Sequence, residues 1–127
     1  MWGKPPFSIA DNCAVDVRNV AASREWYKKT LGLRDAPDVR VEDSGRTFVD
    51  LCIEEDGVFI SLLELKPGTS AETSHVIFFA KNLEKAQQWL VGRQVFVEPI
   101  TTDSGGNRFF RFQDLEGNKI VVCVEPG

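Results

Sequence analysis

The sequence predicts an α+β fold of two βαβββ modules, about 60 residues each, with antiparallel pairing inside each module. Val17-Arg18-Asn19-Val20 and Trp26-Tyr27 return 63 residues later as Ala80-Lys81-Asn82-Leu83 and Trp89-Leu90. Gly57-Val58-Phe59-Ile60-Ser61 is echoed 60 residues later by Gly117-Asn118-Lys119-Ile120-Val121. Within each copy the apolar pattern begins with period two, takes up helical spacing, then returns to short strand-like runs. Two copies of one strand-helix-strands unit are expected to pack as pseudo-equivalent halves with a cleft between them.

The first module opens with a strand near Ile9 to Val17, in which Cys13, Val15 and Val17 alternate with Asn12, Ala14 and Asp16. Such alternation describes a strand with one face on a helix and the other open. Asn19 offers an N-cap, since its short side chain can accept a backbone N–H of the first turn. Val20, Ser23, Tyr27 and Leu31 follow at helical spacing, with Glu25 placed to pair with Lys29. Gly32 stands where a left-handed residue ends a helix. Beyond the polar stretch Asp35 to Gly45, strands are expected near Thr47 to Ile53 and Val58 to Leu65. Glu54-Glu55-Asp56-Gly57 forms the hairpin turn between them. Lys66-Pro67-Gly68-Thr69-Ser70 reads as the connection to the second module.

In that module His75 to Ala80 is a strand, and Asn82 caps a helix whose inner side carries Leu83, Ala86, Trp89 and Leu90. Thr101 to Asn107, with Gly105-Gly106, is a turning segment. Arg108 to Phe112 and Lys119 to Val124 close as a hairpin around Asp114-Leu115-Glu116-Gly117-Asn118. The whole is one domain of 127 residues: module one about 7–66, a linker 67–73, and module two about 74–126.

A chain that is 43% hydrophobic and 27% charged has the composition of an ordinary soluble globular protein. Its net charge of −4 and pI near 5.0 leave no basic stripe for a phosphate backbone, which excludes a nucleic-acid partner. No signal peptide or bilayer-spanning stretch is read in the sequence, so no membrane partner and a cytoplasmic location are expected. Cys13, Cys52 and Cys123 are odd in number and lack close pairs, which points to reduced core thiols rather than a disulfide framework or zinc site.

Val17-Arg18-Asn19 with Trp26-Tyr27 and Leu31-Gly32-Leu33 resembles the opening of the vicinal oxygen chelate superfamily, the glyoxalase, bleomycin-resistance and dioxygenase proteins. Phe112-Gln113-Asp114-Leu115-Glu116-Gly117-Asn118-Lys119-Ile120 resembles its closing hairpin, with Leu115 where Pro is usual. The resemblance spans Phe7 to Pro126 and implies that the paired modules form a cupped mixed sheet. Enzymes of that superfamily hold a divalent metal at four positions, which in this sequence read Asn12, Ser61, His75 and Val121. Only His75 is a good ligand, and Val121 cannot coordinate. A longer first hairpin would substitute Glu64 for Ser61, still short of three protein ligands.

The resemblance therefore leans to the metal-free, bleomycin-resistance-type branch. It implies a homodimer, with modules or arms exchanged, that sequesters an aromatic or cationic compound such as an antibiotic, with no metal, no cofactor and no catalytic residue. The alternative is a divalent-metal-dependent lyase, isomerase or glutathione-type transferase of the same superfamily. A third possibility is a regulatory or scaffolding module whose cleft is merely packed.

Alternation and the resemblance together nominate Asn12, Asp16, Phe59, Ser61, His75, Phe79, Phe109, Arg111 and Val121 as ligand-binding. Their aromatic faces suit planar rings or cations. Any one aromatic among them equally suits the core or a subunit interface. His75 has three readings open: a hydrogen-bond partner for ligand, a residual metal ligand, or a structural strand residue. No Gly-x-Ser-x-Gly turn exists to expose a nucleophile beside it. Asp114 and Asn118 fit a turn-forming role. Gly105-Gly106 is no phosphate loop, because neither a Lys-Ser/Thr pair nor a helix follows. Trp26 and Trp89 are expected in the core; Trp2 precedes the first strand without a role the sequence explains, covering a partner subunit being one open to it.

Overall fold

The computed structural model describes residues 4–36, 47–54, 57–69 and 76–126. The elements are β1 (Ser8–Ile9), β2 (Cys13–Val17), α1 (Val20–Leu31), β3 (Arg34–Asp35), β4 (Phe48–Cys52), β5 (Ile60–Glu64), β6 (Val76–Ala80), α2 (Leu83–Val91), β7 (Thr101–Thr102), β8 (Arg108–Gln113) and β9 (Lys119–Val124). One mixed sheet runs β2-β5-β4-β3. The other runs β6-β9-β8-β7, with β1 added outside β6. Both have the order first, fourth, third, second strand of a βαβββ unit, which establishes the α+β class and the duplication.

The strand registers agree with the sequence repeat. Cys13 lies opposite Ile60 in the parallel pair β2–β5, and Val76 lies opposite Ile120 in the parallel pair β6–β9. Both sequence offsets therefore relate equivalent positions. The helix starts repeat as well: Asn19 Oδ1 accepts the Ala22 N–H at 3.0 Å, and Asn82 Oδ1 accepts the Lys85 N–H at 3.0 Å. Gly32 ends α1 at φ 74°, where a side chain would be strained and its Cβ would lie 3.3 Å from Pro5.

A single apolar core joins the modules. Val15, Val17, Tyr27, Leu31 and Leu62 from the first half meet Phe78, Leu83, Leu90, Phe110 and Val122 from the second. The helices touch where Trp89 Nε1 donates to the Thr30 carbonyl at 3.0 Å, and Phe7 packs its ring on Phe78 and Trp89. β2 also lies beside β6, so the two first strands form the seam between halves.

Three expectations need correction. Pairing inside each module is not all antiparallel, because β2–β5 and β6–β9 run parallel. The strand foreseen from Ile9 to Val17 is two strands in different sheets. Asp11 Oδ1 takes the Asn12 N–H and bends the chain, while Ser8 and Ile9 pair with Phe79 and Phe78 of the other module. Glu25 does not reach Lys29; it lies 3.2 Å from Arg24, whose guanidinium also grips both Asp35 oxygens, at 2.9 and 2.6 Å. Trp2 and His75 lie outside the described residues, as does most of the expected linker. No described helix is long and apolar enough to cross a membrane.

Candidate functional site

Each sheet buries one face against its helix, and strand alternation assigns the other. In β8, Phe110 and Phe112 are buried, so Phe109, Arg111 and Gln113 occupy the open face. In β9, Ile120 and Val122 are buried, leaving Lys119, Val121 and Cys123 open. In β6 the open positions are Ile77 and Phe79. Register then groups these side chains into rows. Phe79, Cys123 and Phe109 lie across from one another, flanked by Ser8 and Thr101; Ile77, Val121 and Arg111 form the next row. The Arg111 guanidinium carbon stands 5.0 Å from the centre of the Phe109 ring, a cation–π contact along one strand.

The first sheet carries a different set. Ala14, Ser61 and Asp50 form one row, and Asp16, Leu63 and Phe48 the next. Ser61 is only 4% exposed and donates its hydroxyl to Asp50 Oδ1 at 2.6 Å. Asn12 sits just ahead of β2, where its Oδ1 accepts the Phe59 N–H at 2.8 Å and so holds the entry to β5. The structure thus gathers Phe79, Phe109, Arg111 and Val121 on one sheet, and Asp16, Ser61 and Phe59 with Asn12 on or beside the other.

Among the polar residues of these strands that escaped sequence reading, two carry charge. Asp50 is one, although the alternation Phe48, Asp50, Cys52 between apolar neighbours already put it opposite Ser61. Lys119 is the other; it shares the parity of Val121 and needed only that comparison. In the opposite direction, Glu64 cannot replace Ser61. It lies three residues further on, with the parity of Leu62, and its register partner is Val17 on the helix side.

Among the described residues the donors do not fit a divalent metal. Of the four positions, Val121 has no donor atom, the Asn12 oxygen is committed to a backbone N–H, and the Ser61 hydroxyl is committed to Asp50. Among the described residues no three His, Cys, Asp or Glu side chains cluster as a ligand set. None of the three cysteines is in a disulfide. Burial, with help from the Asp11 charge, pushes the Cys13 thiol up to about 11, and burial followed by Asp103 raises that of Cys123. Cys52 is in the core, whereas Cys123 faces the open row between two rings.

Near the end of β6 the surface opens into a hollow of about 410 Å³ lined by Phe79, Ser8, Lys81, Lys85, Glu54 and Glu125 among others. Its walls carry both charge signs, in contrast to the open face of β8 and β9.

The same fold occurs in solved structures. An integron cassette protein from the mobile metagenome of the Halifax Harbour sewage outfall is 20% identical with a TM-score of 0.74, over 91% of this chain and 97% of that one. Lactoylglutathione lyase from Agrobacterium tumefaciens is 15% identical with a TM-score of 0.66, over 90% and 91%. TioX from Micromonospora sp. ML1 is 13% identical with a TM-score of 0.62, over 91% and 95%. At these identities the likeness is one of fold. No curated protein matches the chain. The family model described as Glyoxalase/Bleomycin resistance protein/Dioxygenase superfamily matches residues 9–122. With that span and a duplicated βαβββ architecture, the chain belongs to the glyoxalase/bleomycin resistance protein/dioxygenase superfamily.

Proposed function

We propose that this protein binds a small aromatic compound on the open faces of its sheets, without a metal ion and without chemical conversion. The observation that carries this is the state of the metal positions: Val121 has no donor, the Asn12 oxygen accepts the Phe59 N–H, and Ser61 turns its hydroxyl proton to Asp50. A fold that hosts lyases as well as binding proteins does not decide between them, so the site must. What the face offers instead is a wall of rings. Phe79 and Phe109 flank Cys123 in one row, with Ile77 and Val121 beside them, the apolar lining with few polar groups that small-molecule sites use.

The test is a melting scan of chelator-treated protein against Ni²⁺, Zn²⁺, Mn²⁺, Fe²⁺ and Co²⁺, then against a panel of ring compounds. A ligand at 100 times its dissociation constant adds about 2.7 kcal/mol, several degrees for a domain of this size. No saturable shift is expected with any metal. A saturable shift is expected with ring compounds, and Phe109→Ala removes it. A metal shift that disappears in His75→Ala overturns the proposal and favours a metal enzyme.

A further inference from the structure

We infer that the ligand of this face carries an anionic group, a carboxylate or its equivalent, joined to a planar aromatic body. The inference rests on the binding reading above and names the class of compound bound. Its basis is the charge on the second module's open face. Arg111 and Lys119 both project there, from adjacent strands, and Arg111↔Val121 and Gln113↔Lys119 are successive pairs of one ladder on that face. The two cations are therefore diagonal neighbours, within joint reach of one anion.

Neither head group has an ion-pair partner among the described residues. The Arg111 guanidinium carbon lies 5.0 Å from the centre of the Phe109 ring, and Lys119 is exposed. One described carboxylate borders this face: Glu98 follows Val97, which bridges Phe112, and gives its N–H to the Arg111 carbonyl at 2.9 Å, yet its side chain forms no ion pair with Arg111. Asp103, beyond β7, is near enough to raise the Cys123 thiol, but its oxygens accept the N–H groups of Gly105 and Asn107 and the Asn107 amide. Asp16 and Asp50 lie on the other sheet, where Asp50 accepts from Ser61.

Spacing sets the size of the ligand. Phe79 and Phe109 are two strands apart, about 10 Å, and Arg111 lies two residues along β8 from Phe109, about 7 Å. A bicyclic ring lying across Phe79 and Phe109 brings a substituent to the guanidinium, whose planar fork matches a carboxylate and which Phe109 already holds over the face.

The experiment compares three probes sharing one ring system: 2-naphthoate, 2-naphthalenemethanol and 2-naphthylmethylammonium, titrated calorimetrically into the intact protein at low salt. Naphthoate is expected to bind at least tenfold tighter than either partner. Arg111→Gln should remove that preference while leaving the neutral alcohol within twofold, with an unchanged melting temperature as control for folding. Lys119→Gln should weaken naphthoate by a smaller factor, and raised salt should weaken naphthoate alone. If the alcohol or the ammonium binds as tightly as naphthoate, and Phe109→Ala weakens all three, the anion inference is overturned while the aromatic reading stands. If none binds at millimolar concentration, both are overturned.

Discussion

Tyr27 and Asp114 are 87 residues apart in sequence, and the Tyr27 phenol donates a 2.6 Å hydrogen bond to Asp114 Oδ2. The tyrosine is fully buried and the aspartate nearly so. Asp114 also accepts the N–H groups of Glu116 and Asn118 on Oδ1 and the Asn118 amide on Oδ2, so one carboxylate shapes the hairpin turn of module two and fixes it to the helix of module one. Burial, then the Asp114 charge, raises the phenol's pKa well above its usual value and keeps it a donor.

Tyr27→Phe keeps the ring and removes only the donor. A buried hydrogen bond to a charged group contributes about 1.5–3 kcal/mol, so urea unfolding should show a loss in that range. Asp114→Ala should cost more, because the phenol and two backbone N–H groups lose their acceptor together. A Tyr27→Phe loss below about 0.5 kcal/mol would show that water replaces this bond without penalty.

Glu116 reaches across the modules to the start of α1. Its carboxylate accepts the N–H of Arg18 at 2.6 Å and of Asn19 at 2.9 Å, and it lies 3.4 Å from the Ser23 hydroxyl. Negative charge at a helix N-terminus is favourable, and these N–H groups precede the first intrahelical bond. Glu116→Ala should lower stability by about 1–2 kcal/mol, and Glu116→Gln by less. Equal effects of the two variants would assign the contribution to the charge alone, because Gln keeps an acceptor oxygen.

Alkaline pH should destabilise the fold through Cys13. Its thiol has an ordinary value of 9.0, which burial raises to about 11 in the folded protein. Between those limits the unfolded chain has released the proton and the folded chain still holds it, so stability is intact below pH 9 and falls as pH rises toward 11. Cys13→Ala should show a shallower fall over that window in urea titrations. Parallel curves for parent and variant would exclude Cys13 as a source. Iodoacetamide at pH 8 should accordingly label native protein slowly and unfolded protein fast.

Gln94 is the only non-glycine with positive φ among the described residues, at 65°. A left-handed residue with a side chain costs about 1–2 kcal/mol, and glycine's extra freedom in the unfolded chain gives back about 0.5–1. Gln94→Gly should therefore stabilise by about 0.5–1 kcal/mol. A destabilised variant would show that the Gln94 side chain makes contacts that outweigh the backbone strain.

The duplicated frame is legible because each half repeats local signals: Asn19 and Asn82 as caps, Val15 and Phe78 as inward strand residues, Gly57 and Gly117 at positive φ in the hairpin turns. Less legible are features created by long-range pairing. β3 and β7 have two residues each and no period of their own; they exist because β4 and β8 offer an edge. β1 is hidden for the same reason, and a continuous alternation from Ile9 to Val17 masks its change of sheet. The open faces follow from parity, which is why Phe79, Phe109, Arg111 and Val121 share one sheet as expected. Parity does not show what a polar residue bonds to. The Asn12 oxygen looks available in the sequence, and only the fold brings it to the Phe59 N–H.

The placement of β1 has a consequence for how the chain acquires its structure during synthesis. Ser8 finds its ladder partner at Phe79, 71 residues later. At about 5–20 residues per second, the ribosome needs roughly 4–14 seconds to deliver that partner. Through that interval the first module can assemble β2 to β5, while Phe7, Ser8 and Ile9 remain an apolar segment without a sheet. β1 is then made before β2 to β5 yet docks after they can pair.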